Sequence, residues 1–121
     1  MKLKKPIITG KVVGPYSPAI IASGTKTIFV SGQIASDLSA DIQTQTIQVM
    51  NKIEDILEKG GAYLSDVVKT TIYLSKIEDF NIVNEEYAKF FPSDPPARVT
   101  LQAAALPLNA SLMIDAIALR A

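Results

Sequence analysis

Neither histidine nor cysteine occurs anywhere in the 121 residues. Their absence excludes Ser-His-Asp and Cys-His catalysis, thiolate nucleophiles, disulfides, and any zinc centre built from imidazole or thiolate ligands. An excess of charge is missing too, since 12 Lys and Arg balance 12 Asp and Glu. Without a cationic surplus or a basic tract, the chain has little with which to grip nucleic-acid phosphates or an anionic membrane, and neither is an expected partner. No apolar run approaches the length of a membrane span. The start, Met1-Lys2-Leu3-Lys4-Lys5-Pro6, is basic but lacks the apolar stretch of about 7–15 residues that a secretory signal needs. The expectation is a soluble cytoplasmic protein whose chemistry rests on hydrogen bonds, carboxylates, Lys, Tyr and Arg.

Among what is present, Pro95-Pro96-Ala97-Arg98 is the most informative stretch. Each proline fixes φ near about −65° and has no N–H, so no strand runs through the pair and Arg98 falls at a strand's start. A guanidinium held there binds a carboxylate or phosphate through two parallel hydrogen bonds. The competing reading is a strand-end arginine paired with a nearby Asp or Glu. Apolar residues make up 48% of the chain and charged ones 20%, below the roughly 25% charged of an ordinary domain. A domain this small buries only about two thirds of its unfolded surface. The apolar surplus suggests that a sister subunit covers one sheet face or edge.

The chain reads as a single domain over residues 1–121. Ala19–Ser23 and Thr27–Ile34 are apolar, β-branched runs separated by Gly24-Thr25-Lys26, the pattern of a hairpin with a glycine-containing loop. From Asp41 the period changes: Ile42, Thr46, Val49, Met50, Ile53, Ile56 and Leu57 recur at helical steps until Gly60-Gly61. Val67–Leu74 alternates as a strand. Ser75 and Glu78 have capping-box spacing ahead of a second helical stripe, Phe80, Val83, Tyr87, Ala88 and Phe91, which ends before Pro92. Asn84 shares that stripe, so its amide is either locked to backbone, the commoner outcome, or placed at a cleft. Arg98–Ala105 and Ala110–Leu119 are the last strands, joined by Leu106-Pro107-Leu108-Asn109. The order β-β-α-β-α-β-β is an α+β fold, a sheet with two helices on one face. The other face meets water or another subunit, and Ile28, Val30 and Ile34 favour the second.

Gly14-Pro15-Tyr16-Ser17 tethers Tyr16 between Pro15 and Pro18, which suits a ligand-facing phenol as well as a tyrosine packed on a sheet edge. Ser31-Gly32-Gln33 continues a strand past its apolar part, and Gly32 permits close approach of a backbone or ligand. Together with Gln45-Thr46 and Asn51, Val68-Lys69-Thr70-Thr71, Phe80 with Val83-Asn84-Tyr87, Pro96-Ala97-Arg98, Leu106-Pro107 and Ile114-Asp115-Ala116-Ile117-Ala118, these motifs resemble the RidA, or YjgF-type, family over nearly the whole chain. The resemblance implies a chorismate-mutase-like fold and a homotrimer with clefts between adjacent subunits. It also implies cofactor-free hydrolysis of 2-imino and 2-enamino acids, such as 2-aminoacrylate, to 2-keto acids and ammonia. By the family pattern Arg98 binds the substrate carboxylate, Tyr16 and Ser31 line the cleft beside Gly32, and Asn84 is the second-helix asparagine. Thr100 stands where many members carry a cysteine, and by alternation Arg98, Thr100 and Gln102 share a strand face.

One position departs from the pattern. Active members end in Ile-Glu-Ile-Glu-Ala-Ile-Ala, the first Glu holding the attacking water, whereas here Met113 takes that place among the cleft residues. Methionine neither orients nor deprotonates water. Asp115 matches the second acid, on the same strand face but about 7 Å further along. Imine hydrolysis is therefore the leading expectation. Its rivals are a non-catalytic trimeric binding protein for small carboxylates such as 2-keto acids, and a protein-interaction or chaperone-like trimer. Members of the family have been described as nucleases or translation inhibitors, to which the neutral charge lends no support.

Overall fold

A computed structural model describes residues 2–121. Its elements are β1 (Leu3–Ile7), β2 (Ala19–Ser23), β3 (Lys26–Gln33), α1 (Ile42–Lys59), β4 (Val67–Leu74), α2 (Phe80–Ala88), β5 (Ala97–Gln102) and β6 (Leu112–Arg120). Helix α1 begins where Asp41 accepts a hydrogen bond from the Thr44 N–H and ends at Gly60, with Gly61 in the left-handed region at φ 78°. Its stripe of Val49, Met50, Ile53 and Leu57 is fully buried. Those side chains pack on Leu112, Ile114, Ala116 and Ala118, the inward half of the strict alternation along β6. Each large side chain so buried contributes about 1.5–3 kcal/mol.

The main sheet runs β3-β6-β4-β5, with β4 and β5 parallel and the other pairs antiparallel. Both helices cover one face, as expected of the α+β fold. The open face carries Phe29 and Ser31 from β3, Met113, Asp115 and Ile117 from β6, Lys69, Thr71 and Tyr73 from β4, and Val99 and Leu101 from β5. Ile28 and Val30 point the other way, into the core. Phe29, 74% exposed, is the apolar residue that β3 presents outward.

Three local expectations are corrected. The runs flanking Gly24-Thr25-Lys26 do not form a hairpin: β2 pairs with β1 in a separate ribbon, and β3 pairs with β6. The bend carries the chain between sheets past the end of β6. The Thr25 N–H donates to the Arg120 carbonyl at 2.9 Å, and a Cβ on Gly24 would lie 2.6 Å from that oxygen. Ser75 does not cap α2; its N–H donates to Ser111, and the helix starts at Phe80 after a 3-10 turn. The predicted Arg98–Ala105 strand stops at Gln102.

Strand β1 was not expected from the basic start of the chain, whose Lys4, Lys5 and Pro6 carry no strand pattern. It is an edge strand, where a proline is tolerated, and its outer end is clamped: Lys2 pairs with Asp66, and Lys4 donates to the Ser65 carbonyl at 3.2 Å. Asp66 is 1% exposed. Burial pushes its carboxyl up, but Lys2, the Tyr63 N–H and Arg120 outweigh that and hold it below the usual value of 3.8. A carboxylate whose folded value is depressed stabilises the fold above its unfolded value, and that stabilisation is lost as pH falls through the folded one. Asp66→Asn is expected to lower stability at neutral pH by about 1.5–3 kcal/mol, the worth of hydrogen bonds to a charged group. It should also flatten the acid limb of the denaturation profile below the ordinary carboxylate range. Chemical denaturation of both proteins across pH measures both effects.

Candidate active site

Ser17 joins β2 to the start of β5. Its N–H donates to the Pro96 carbonyl at 3.2 Å, its hydroxyl donates to the Pro95 carbonyl, and it bridges Ala97 in parallel. The prolines, lacking donors, thus offer acceptors that fix Tyr16 beside Arg98. Arg98 lies opposite Thr70 of β4, on the helix side of the sheet. Its guanidinium carbon is 5.3 Å from the centroid of Tyr16, 5.3 Å from Tyr87 and 5.7 Å from Phe80, all within cation–π range. Burial depresses the Arg98 pKa, yet a guanidinium stays charged at any working pH.

No carboxylate pairs with Arg98 among the described residues; their ion pairs are Lys2–Asp66, Arg120–Asp66 and Lys89–Glu86. The reading of Arg98 as one half of a strand-end ion pair is therefore set aside. Arg98 Nη1 and Thr100 Oγ1 are both buried without a hydrogen-bond partner. Thr100 follows Arg98 on the same face, as alternation required. Two such orphaned groups on one strand face call for an explanation in a native fold. Both line a small cavity with Val13, Tyr16 and Phe80. Asn84 belongs here rather than to a backbone lock: a Cβ on Gly14 would lie 3.0 Å from the Arg98 guanidinium and 3.2 Å from the Asn84 amide. Gly14 is glycine because those groups crowd it.

Ser31, Gly32 and Met113 form a separate group. Ser31 and Met113 lie on the open face near the β3 edge, whereas Arg98 and Thr100 lie under α2 on the β5 edge. The Met113 side chain folds over Gly32, where a Cβ would come within 2.6 Å of the sulfur. Asp115 shares the Met113 face, and its oxygens are already engaged by the Thr71 N–H at 3.1 Å and the Tyr73 hydroxyl at 3.3 Å. Gln45, fully buried, donates to the Leu38 and Ala40 carbonyls and accepts from the Ser111 N–H. It thereby joins the loop after β3 to the start of β6 and fixes the strands that carry this second group. One chain therefore holds these two groups on opposite faces of its sheet.

Sequence reasoning assigned Phe80 and Tyr87 to the core stripe and did not foresee them beside Arg98. The available signal was Asn84, which occupies the same helix face between them.

A mixed sheet backed by two helices, with an arginine at the start of its edge strand, is the architecture of a small α+β protein. The chain belongs to the RidA, or YjgF-type, family: residues 8–120 match the family described as Endoribonuclease L-PSP. It is 46% identical to Reactive Intermediate Deaminase A, chloroplastic, of Arabidopsis thaliana, over 88% of this chain and 59% of that protein, so it spans less than two thirds of that relative's length. It is 37% identical to the 2-iminobutanoate/2-iminopropanoate deaminase of Homo sapiens, over 98% of this chain and 91% of that one. Among solved structures, the YjgF gene product of E. coli matches with TM-score 0.76 at 32% identity, covering 97% of this chain and 99% of its own.

Proposed function

We propose that the protein hydrolyses 2-imino and 2-enamino acids to 2-keto acids and ammonia in the cytoplasm, without a cofactor. The carrying observation is the half-buried Arg98 guanidinium, unpaired with any acid among the described residues, whose buried, unpartnered Nη1 belongs to a residue that lines one cavity with Thr100, itself carrying a buried, unpartnered hydroxyl. The deaminase names of the Arabidopsis and human relatives supply the reaction class. Arg98 binds the substrate carboxylate through its fork, Thr100 and Asn84 add hydrogen bonds, and Tyr16 closes the side of the cavity.

The two groups, each read as half of a site completed by a neighbouring copy, support a homotrimer. Packing the open faces of three copies together, with the β3 side of one open face reaching the β5 edge of the next copy, would bring Ser31, Gly32 and Met113 toward Arg98, and would cover apolar residues of the open face such as Phe29, Val99 and Leu101. Sedimentation equilibrium should give a trimer at micromolar protein that persists on dilution, because permanent oligomers bury large apolar interfaces. A monomer under those conditions would leave both half-sites incomplete and remove the reading.

Met113 supports a second reading, a trimeric binding protein that holds 2-keto acids without turnover, since the position expected to carry a carboxylate is apolar and Asp115 is hydrogen-bonded elsewhere. Adding the protein to freshly generated 2-aminoacrylate separates them. Accelerated release of pyruvate and ammonia selects the enzyme, and pyruvate binding without acceleration selects the binding protein.

A further inference from the structure

Arginines that recognise anions are commonly oriented by a neighbouring carboxylate, which engages some of the guanidinium N–H groups and offsets its charge. Arg98 has no such partner among the described residues. It is surrounded instead by the rings of Tyr16, Phe80 and Tyr87. Ring faces attract a guanidinium without occupying its donors or cancelling its charge.

Of the three, Tyr87 is the one fixed most completely. It is fully buried, so no ligand reaches it, and its ring packs against Phe91 at 4.9 Å between centroids. Its hydroxyl shares a 2.8 Å hydrogen bond with Thr70, itself buried and directly opposite Arg98 across the β4–β5 ladder. Helix α2 is thus pinned to the rung of the sheet from which Arg98 projects. Filling space alone does not require this pair, since a phenylalanine and a valine of nearly the same shape would leave no buried polar group to satisfy. Burial pushes the Tyr87 hydroxyl up to about 12, so this wall of the cage stays neutral wherever the protein is folded and used.

We propose that Tyr87, anchored by Thr70, is a positioning residue: its ring sets the attitude of the Arg98 guanidinium, leaving Nη1 free toward the Thr100 side of the cavity. The proposal rests on the reading of Arg98 as a carboxylate-binding group, and it assigns that group its orienting device.

The test uses the full-length protein with Tyr87→Phe/Thr70→Val and Tyr87→Leu. Two readouts are combined, the 15N–1H signal of the Arg98 Nε–H and the affinity for pyruvate as probe. The chain has only two arginines, Arg98 and Arg120, so Arg120→Lys assigns the signal. In Tyr87→Phe/Thr70→Val, both members of the hydrogen bond are removed together, and the melting temperature should stay close to wild type. Its Arg98 signal should nevertheless broaden or shift, and pyruvate should bind more weakly. Tyr87→Leu removes the ring itself and should weaken pyruvate binding by about 3- to 30-fold, the range that cation–π contacts span from exposed to desolvated sites. An unchanged Arg98 signal and wild-type pyruvate affinity in Tyr87→Phe/Thr70→Val would overturn the proposal and reduce Tyr87 to a core side chain. Should wild type fail to bind pyruvate, the carboxylate reading of Arg98 falls, and the Arg98 signal in the variants still decides whether Tyr87 orients the guanidinium.

Discussion

In Arg98→Ala, pyruvate and other small carboxylates should bind at least about 100-fold more weakly than in the wild type, because two charge-assisted hydrogen bonds of about 1.5–3 kcal/mol each are lost. The assembly should remain intact, since Arg98 projects beneath α2 and not from the open apolar face. Arg98→Lys should recover little of the affinity. An ammonium lacks the planar fork, and its compact, strongly hydrated charge is poorly suited to a cage of three rings. Stability should not fall in Arg98→Ala, because the wild type buries Nη1 without a partner, and an unpaired buried charge costs free energy to hold. A titration calorimeter and a melting curve suffice for the measurement. If Arg98→Ala bound keto acids normally but melted earlier, the cage would have to be read as a structural cation–π cluster.

The parts of this molecule that sequence reasoning reached are those where one residue type has one physical consequence. Pro95 and Pro96 cannot donate to a ladder, so the start of β5 was set to within a residue. Asp41 and Gly60 supply a donor's partner and a helix stop, so α1 was bounded correctly. Where the same chemistry serves two geometries, sequence reasoning failed. Gly24 suits a hairpin loop, but equally permits the close approach to Arg120 that the crossing between sheets requires. Period-two alternation divides β3 into two faces without saying which is inward, and choosing Ile28 and Val30 for the open face inverted them relative to Phe29. Phe80 and Tyr87 sit at core spacing, and nothing in that spacing reveals that the surface they meet includes a guanidinium. The separation of the candidate residues into two groups on opposite faces follows from sheet order and register, long-range properties that local patterns do not encode.

Met113→Glu should raise the rate of imine hydrolysis, by up to about 10²–10⁴-fold, the range of general acid–base assistance. The lower end is the firmer expectation, because the surroundings are adapted to a thioether. Met113 lies against Gly32, and the flexible side chain fills the space a Cβ would occupy. A carboxylate put there finds the Ser31 side of the strand, while Lys69 of the same face lies opposite Ile117, four residues further along β6, so its orientation would depend also on groups that a neighbouring copy brings in the proposed trimer. Asp115→Asn decides the competing route to activity. In the wild type Asp115 spends its oxygens on the Thr71 N–H and the Tyr73 hydroxyl. If it nevertheless activates water, Asp115→Asn should remove most of the wild-type turnover and leave carboxylate binding in place. If Asp115 is only a structural acceptor, the substitution should lower stability by only about 0.5–1.5 kcal/mol, because the amide oxygen can still accept from the Thr71 N–H and its NH2 can donate to the Tyr73 hydroxyl, so a charge-assisted bond is replaced by a neutral one. Turnover per folded protein would then stay the same. Fast wild-type hydrolysis unchanged by either substitution would show that water activation on this fold needs no carboxylate from β6, and the assignment of Met113 to the water position would be wrong.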